Sequence, residues 1–153
     1  QKGKSKKQTE RLKNLLYEES KSDLYSKSVW NQFANNVLIQ RKKFRNLISN
    51  LLNEEKTICG IGSPGRSSTL LNFYGISKHE MPYIAEQSSC LKLGLFIPGQ
   101  NIPIVDEKKM FEEQPDYAVM LSWHYSEQII NNLRQKGLKS KIILPLPTVR
   151  IIN

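Results

Sequence analysis

Between residues 27 and 53, Trp30, Val37, Phe44 and Leu51 recur every seven positions, and Phe33, Leu47 and Ile48 fill the adjoining stripe. No Pro or Gly interrupts the run, so it predicts one long amphipathic helix whose stripe packs on whatever follows. Arg41, Lys42, Lys43 and Arg45 occupy its other faces. Upstream, Leu12, Leu15 and Leu16 predict a short helix over about residues 8–20, and QKGKSKKQ before it is expected to fray.

From residue 57 the pattern changes to short apolar runs alternating with helical ones. TICGIG predicts a strand entering a glycine turn, and RSSTLLNFYG a helix stopped by Gly75. MPYIAE and NIPIV predict two more strands, with a loop between them that reaches Gly99. DEKKMFEEQ predicts a short helix capped by Asp106, and DYAVMLSW a fourth strand. SEQIINNLRQKG predicts a helix with Ser126 as its cap and Gly137 as its stop. SKIILPLP predicts the last strand, ended by Pro145 and Pro147. Strands alternating with helices predict an α/β fold with right-handed crossovers. The expected architecture is a Rossmann-like open parallel sheet of about five strands, preceded by one or two N-terminal helices. Three regions follow: a basic arm and short helix (1–24), the long helix packing on the domain (25–56), and the α/β domain (57–153).

Composition agrees with a folded chain. Of 153 residues, 39% are hydrophobic and 24% charged, within the range of globular proteins. A chain of this length buries about 70% of its unfolded surface without disulfide staples. No apolar run approaches the ~18–20 residues of a membrane span, so no membrane partner is expected. The N-terminal charge has no apolar stretch behind it, unlike a secretory signal. Cys59 and Cys90 are too few for a disulfide framework or a cysteine-based zinc site, which predicts a reducing, cytoplasmic setting. The chain opens on Gln1 rather than Met, as expected of a processed chain or a piece of a longer one.

The net charge of +9 raises the question of an anionic partner. Residues 1–56 hold 13 Lys/Arg against 6 Asp/Glu, a net of +7, and residues 57–153 carry the remaining +2. The basic stretch lacks interleaved aromatic residues and any known nucleic-acid motif, so a solvated helix face is favoured over nucleic-acid binding.

The strongest chemical signal is Gly60-Ile61-Gly62-Ser63-Pro64-Gly65, a G-x-G-x-x-G that follows a predicted strand and opens a predicted helix. Such a turn lets a phosphate approach the backbone and meet the helix N-terminus. Arg66 adds a cation there, and Ser67, Ser68 and Thr69 add hydroxyls. Glu86 lies at the end of the second strand, where an acidic residue often takes a ribose hydroxyl. A plain glycine turn with a capped helix is the competing reading. Trp123 and His124 follow the fourth strand and should lie near the Gly60 turn, since ligands sit beyond the carboxyl ends of the strands. His124 would donate to a phosphate or carbonyl, or else simply pack, and Tyr125 is placed to pack or stack. Pro98-Gly99 reads first as a chain reversal. Lys92 reads equally as an anion ligand or a solvated lysine. His79-Glu80 has no evident third partner for a metal. No nucleophilic triad, G-x-S-x-G elbow or Walker A sequence is present.

Four blocks carry a further signal by their order: CGIGSPGRSSTLLNFYGI, YIAEQSSCLKLGLFIPGQNIPIVDE, QPDYAVMLSWHYSEQII and KIILPLPTVRII. This order resembles the C-terminal domain of the sugar C-methyltransferases, over about residues 25–152. The corresponding family features are G-x-G-A-P-A-K-G before a Thr-Leu-Leu-Asn helix, a P-G-T-x-I-P-V turn, and P-D-Y before an apolar strand and Trp. The resemblance implies a longer enzyme with a zinc-binding N-terminal segment, an S-adenosylmethionine (SAM) domain and this domain. It implies deprotonation beside a keto group of a nucleotide-linked sugar, followed by attack of the enolate on the SAM methyl, with the general base upstream. By position, Gly60, Gly62, Ser63, Pro64, Gly65, Arg66 and Ser67 would form the substrate-facing loop, with Trp123 and His124 at the adjacent strand end. The implied partners are the nucleotide-linked sugar and the methyltransferase domain of the same polypeptide. No cofactor is expected in this chain, and the chain alone is expected to be inactive.

Departures from the family pattern bear on the substrate more than on the fold. Ser63 and Gly65 replace alanines, Arg66 replaces Lys, Ser67 replaces Gly, and Gln100 replaces Thr. Arg66 keeps the charge but presents a planar fork in place of a point. Two other readings rest on the residues themselves. One is a nicotinamide-dinucleotide module, on the same glycines and Glu86, and the other is a basic interaction module for nucleic acid or protein.

Overall fold

The computed structural model describes residues 8–153. Of the stretch expected to fray, QKGKSKKQ, all but Gln8 lies outside the described residues. The chain divides into two compact units, one ending at Ile39 and the other Gln40–Asn153.

In the first unit, α1 (Glu10–Lys21) begins where the Thr9 hydroxyl accepts the Leu12 N–H. No residue of α1 is buried. The long predicted helix is α2 (Lys27–Asn53), which continues into the second unit. In the second unit its stripe is buried at Phe44, Ile48 and Leu51. In the first unit, Trp30 and Phe33 meet edge to face, with ring centroids 6.0 Å apart.

The second unit is built on β1 (Ile58–Ile61), β2 (Ile84–Glu86), β3 (Ile104–Asp106), β4 (Tyr117–Met120), β5 (Lys141–Leu144) and β6 (Arg150–Ile152). The strand order is β3-β2-β1-β4-β5-β6, with every pair parallel except β5–β6. The expected Rossmann-like sheet is present, with six strands in place of about five. The sixth strand is only three residues long, and it pairs antiparallel so that Ile151 faces Ile143. Too short to show a period of its own, it exists only because β5 offers an edge.

The chain reverses direction across the sheet at β1. α3 (Gly65–Tyr74) leads from β1 to β2, and α4 (Glu107–Glu113) leads back from β3 to β4. α5 (Ser126–Gln135) joins β4 to β5. Side-chain alternation sorts the strands onto two cores. Ile58, Ile84, Val119 and Ile143 pack with Phe44 and Ile48 of α2 and Leu71 of α3. Cys59, Ala85, Ala118 and Ile142 pack with Met110 of α4 and Leu133 of α5. Covered on both faces, these strands read as continuous apolar runs in the sequence.

Most predicted signals do their expected work. Asp106 caps α4 by accepting the Lys108 N–H at 2.9 Å. Gly75 ends α3 in the left-handed region, and Gly137 follows α5 at φ 95. Ser126 does not cap α5. It is already the first helical residue, because Trp123–Tyr125 form a 3-10 turn that leads straight into the helix. At the other end of the sheet, Asp116 accepts both the N–H and the hydroxyl of Thr57, each at 2.9 Å, and its own N–H donates to Thr57 Oγ1. This reciprocal clasp joins the starts of β1 and β4.

Candidate functional site

β1 runs into the glycine turn at the carboxyl edge of the sheet, where the chain reverses direction. Gly60 is still within the strand. A Cβ there would lie 2.8 Å from Ile84 Cγ1 and 2.9 Å from Met81 Sδ, so the position is fixed by packing. Gly62 makes the turn at φ +77, and a Cβ on it would lie 2.4 Å from Ser122 Oγ. The loop therefore runs directly against the end of β4. Gly65 opens α3 with nothing within 4 Å of where its Cβ would stand.

The loop's polar groups are partly engaged by the protein itself. The Gly62 N–H donates to Ala85 O at 2.9 Å. The Ser63 N–H donates to Glu86 Oε1 at 2.5 Å, and Lys92 Nζ donates to Ser63 O. Glu86 and Lys92 thus hold one peptide segment from two directions. The Ser67 hydroxyl donates to Pro64 O at 2.6 Å and the Ser68 hydroxyl to Gly65 O at 3.0 Å. What remains for an incoming group is the start of α3. The Gly65 and Arg66 N–H groups have no intrahelical acceptor there, and the helix dipole is positive. The Arg66 side chain is exposed, and its guanidinium lies 5.7 Å from the Trp123 ring centroid.

Arg66 and Trp123, 57 residues apart in the chain, are thus brought together. Trp123 is half-buried and packs on the α2–α3 side of the sheet. His124 is exposed, with its ring centroid 5.3 Å from that of Trp123. Tyr125 is exposed beside it. The Pro98-Gly99 turn is more than a reversal, since Asn72 Nδ2 of α3 donates to Pro98 O at 2.9 Å. Gln100 Nε2 donates to Asn72 Oδ1 at 3.1 Å, so the loop before β3 is fastened to the same helix that the glycine turn opens. Asn72 and Ser122 were not singled out from the sequence. Asn72 ends a Thr-Leu-Leu-Asn run, the one sequence signal that accompanied it, and Ser122 carried none.

Other polar groups serve the fold. Glu80 accepts the Ser77 N–H at 2.9 Å and the Ser77 hydroxyl at 2.5 Å, closing a turn, while His79 stays exposed. Burial pushes the Glu80 carboxyl up, but the Ser77 hydrogen bonds and the Arg45 charge outweigh it and hold the group below its ordinary value. Cys59 is buried, and desolvation pushes its thiol up to about 12. Cys90 is half-buried, and both thiols are free. Among the described residues, no three His, Cys, Asp or Glu side chains gather to hold a metal. Among the same residues, no helix is long and apolar enough to cross a membrane.

Comparison with known proteins agrees with the ordered blocks. The pattern of the C-methyltransferase C-terminal domain family matches residues 1–147. The C-methyltransferase NovU of Streptomyces niveus is 29% identical over 141 residues. That alignment covers 91% of this chain and 33% of NovU, so the chain spans about a third of this relative's length. The match extends over nearly the whole chain, α1 and α2 included, and on that ground the chain belongs to the C-methyltransferase C-terminal domain family.

Proposed function

We propose that this domain holds the substrate of a SAM-dependent C-methyltransferase, a nucleotide-linked sugar, against a methyltransferase domain elsewhere in the same polypeptide. SAM and the family's zinc belong, on this reading, to that other portion, and the chain by itself transfers no methyl group. The observation that carries the proposal is the pairing of Arg66 with Trp123 at the open start of α3. A guanidinium held over an indole, next to unpaired N–H groups at a helix N-terminus, suits a phosphate joined to a ring that can stack. Glu86 and Lys92 serve to hold the loop in shape, and His124 stands at the rim. Gly62 and Ser63 contribute shape more than donors, because their N–H groups are already bonded.

Calorimetric titration of the chain with a dTDP-sugar and with NAD(H) tests this reading. Saturable heat is expected with the sugar nucleotide. Arg66→Ala should weaken it by about tenfold or more, the worth of one charge-assisted contact. Arg66 is exposed, so the circular dichroism of the variant should match the parent. Binding of NAD(H) with no response to the sugar nucleotide would reverse the assignment in favour of a dinucleotide module. Equal affinity in parent and variant would remove Arg66 from the site.

A further inference from the structure

A cavity of about 290 Å³ lies on the face of the sheet covered by α4 and α5. Its apolar lining comes from Ile61, Ala85, Met110, Ile129 and Leu133, which belong to the α4–α5 core, whereas Trp123 packs on the α2–α3 core. Gly62 and Ser122 also line it. Trp123, the residue after Ser122, packs on the α2–α3 core and lies beneath the Arg66 guanidinium. Gly62 and Ser122 meet at the rim of this cavity, in the segments that lead on to Arg66 and Trp123, and any side chain at Gly62 would collide with Ser122 Oγ.

The two sides differ in chemistry. The Arg66 side is cationic. The α4–α5 cavity has two carboxylates, Glu86 and Glu107, and its one cation, Lys136, donates to Glu107 Oε1 at 2.6 Å. Glu86, with one oxygen taken by the Ser63 N–H, presents its other oxygen beside the amides of Gln87, Asn132 and Gln135. This set repels phosphate and accepts hydrogen bonds from hydroxyl and N–H groups, above an apolar floor that can cover one face of a ring. The volume suits a single substituted ring, since whole ligands of drug size occupy roughly 300–1,000 Å³.

We propose that the α4–α5 cavity holds a neutral, hydroxyl-bearing ring of the substrate, while the anionic linkage crosses at Gly62 toward the Arg66 side. The inference rests on the reading of the substrate as a nucleotide-linked sugar. The ring has two possible sources, the nucleoside and the sugar, and both share this chemistry.

Amide chemical-shift mapping on the 153-residue chain tests it with three probes: a dTDP-sugar, thymidine and a methyl deoxyglycoside. The dTDP-sugar is expected to shift Ala85, Gln87 and Leu133 as well as Arg66 and Trp123. Thymidine reproducing the cavity shifts assigns the nucleoside there, and the glycoside reproducing them assigns the sugar. Asn132→Trp, which fills the cavity from α5, should weaken the dTDP-sugar by about tenfold or more. Shifts confined to Arg66, Gly65 and Trp123, or unchanged affinity in Asn132→Trp, overturn the cavity site and leave the substrate assignment standing. No saturable binding of the dTDP-sugar by the parent chain overturns both. The parent's shift map decides the matter even if the variant misfolds.

Discussion

Gly62→Ala separates the structural from the ligand-binding meaning of the glycine turn. In the fold, Gly62 has φ +77 and faces Ser122. An L-residue in the left-handed region costs about 1–2 kcal/mol. The added Cβ would also sit 2.4 Å from Ser122 Oγ and 3.2 Å from Ser122 Cβ. Turning Ser122 off its rotamer adds about 0.5–1.5 kcal/mol. The variant should therefore lose about 2–3 kcal/mol without any ligand present. Urea unfolding followed by circular dichroism reads this as a midpoint drop of roughly 1 M or more, for a slope of about 2 kcal/mol/M. Ser122→Ala alone should cost little, and the double variant should recover the Oγ part while keeping the backbone part. A Gly62→Ala protein within 0.5 kcal/mol of the parent would show that the turn relaxes freely, and additive single effects would show that Ser122 is not what Gly62 avoids.

Two further outcomes follow from the titratable groups. The Thr57 N–H, followed by the Thr57 hydroxyl, holds the Asp116 carboxyl below its ordinary value. A depressed carboxylate stabilises the fold above its unfolded pKa of about 3.9 and loses that contribution as pH falls through the lower folded value. Asp116→Asn should thus destabilise by about 1 kcal/mol at pH 7, a modest figure because solvent screens the group, and the gap should narrow as pH falls below the unfolded value; a pH-independent difference in unfolding midpoint would remove the charge from the account. Cys59, buried with its thiol pushed up to about 12, should resist an aromatic disulfide reagent at pH 8. One thiol, Cys90, should react in the native chain and two in denaturant; rapid release of both would place Cys59 outside the core.

Much of the α/β domain was legible because its signals are local. The apolar runs around Ile58, Ala118 and Ile142 announce strands covered on both faces, and Asp106, Gly75 and Gly137 mark helix ends by their own backbone chemistry. Where the reading failed, a distant partner decided. β6 exists because β5 offers an edge, and Ser126 loses its cap to the 3-10 turn that brings Trp123 toward Arg66.

The sequence by itself determined the alternation of strands and helices, the glycine turn between β1 and α3, and the family, since each depends on neighbouring residues or on their order along the chain. Only the tertiary structure decided which donors of that turn are free. Glu86 and Ala85 reach it across the sheet, from more than twenty residues away, and take the Ser63 and Gly62 N–H groups. Likewise, Gly62 lies against Ser122 and Arg66 over Trp123 only because the sheet reverses its winding at β1. Such placement follows from strand order and packing between distant segments, and neither leaves a mark at the residues themselves.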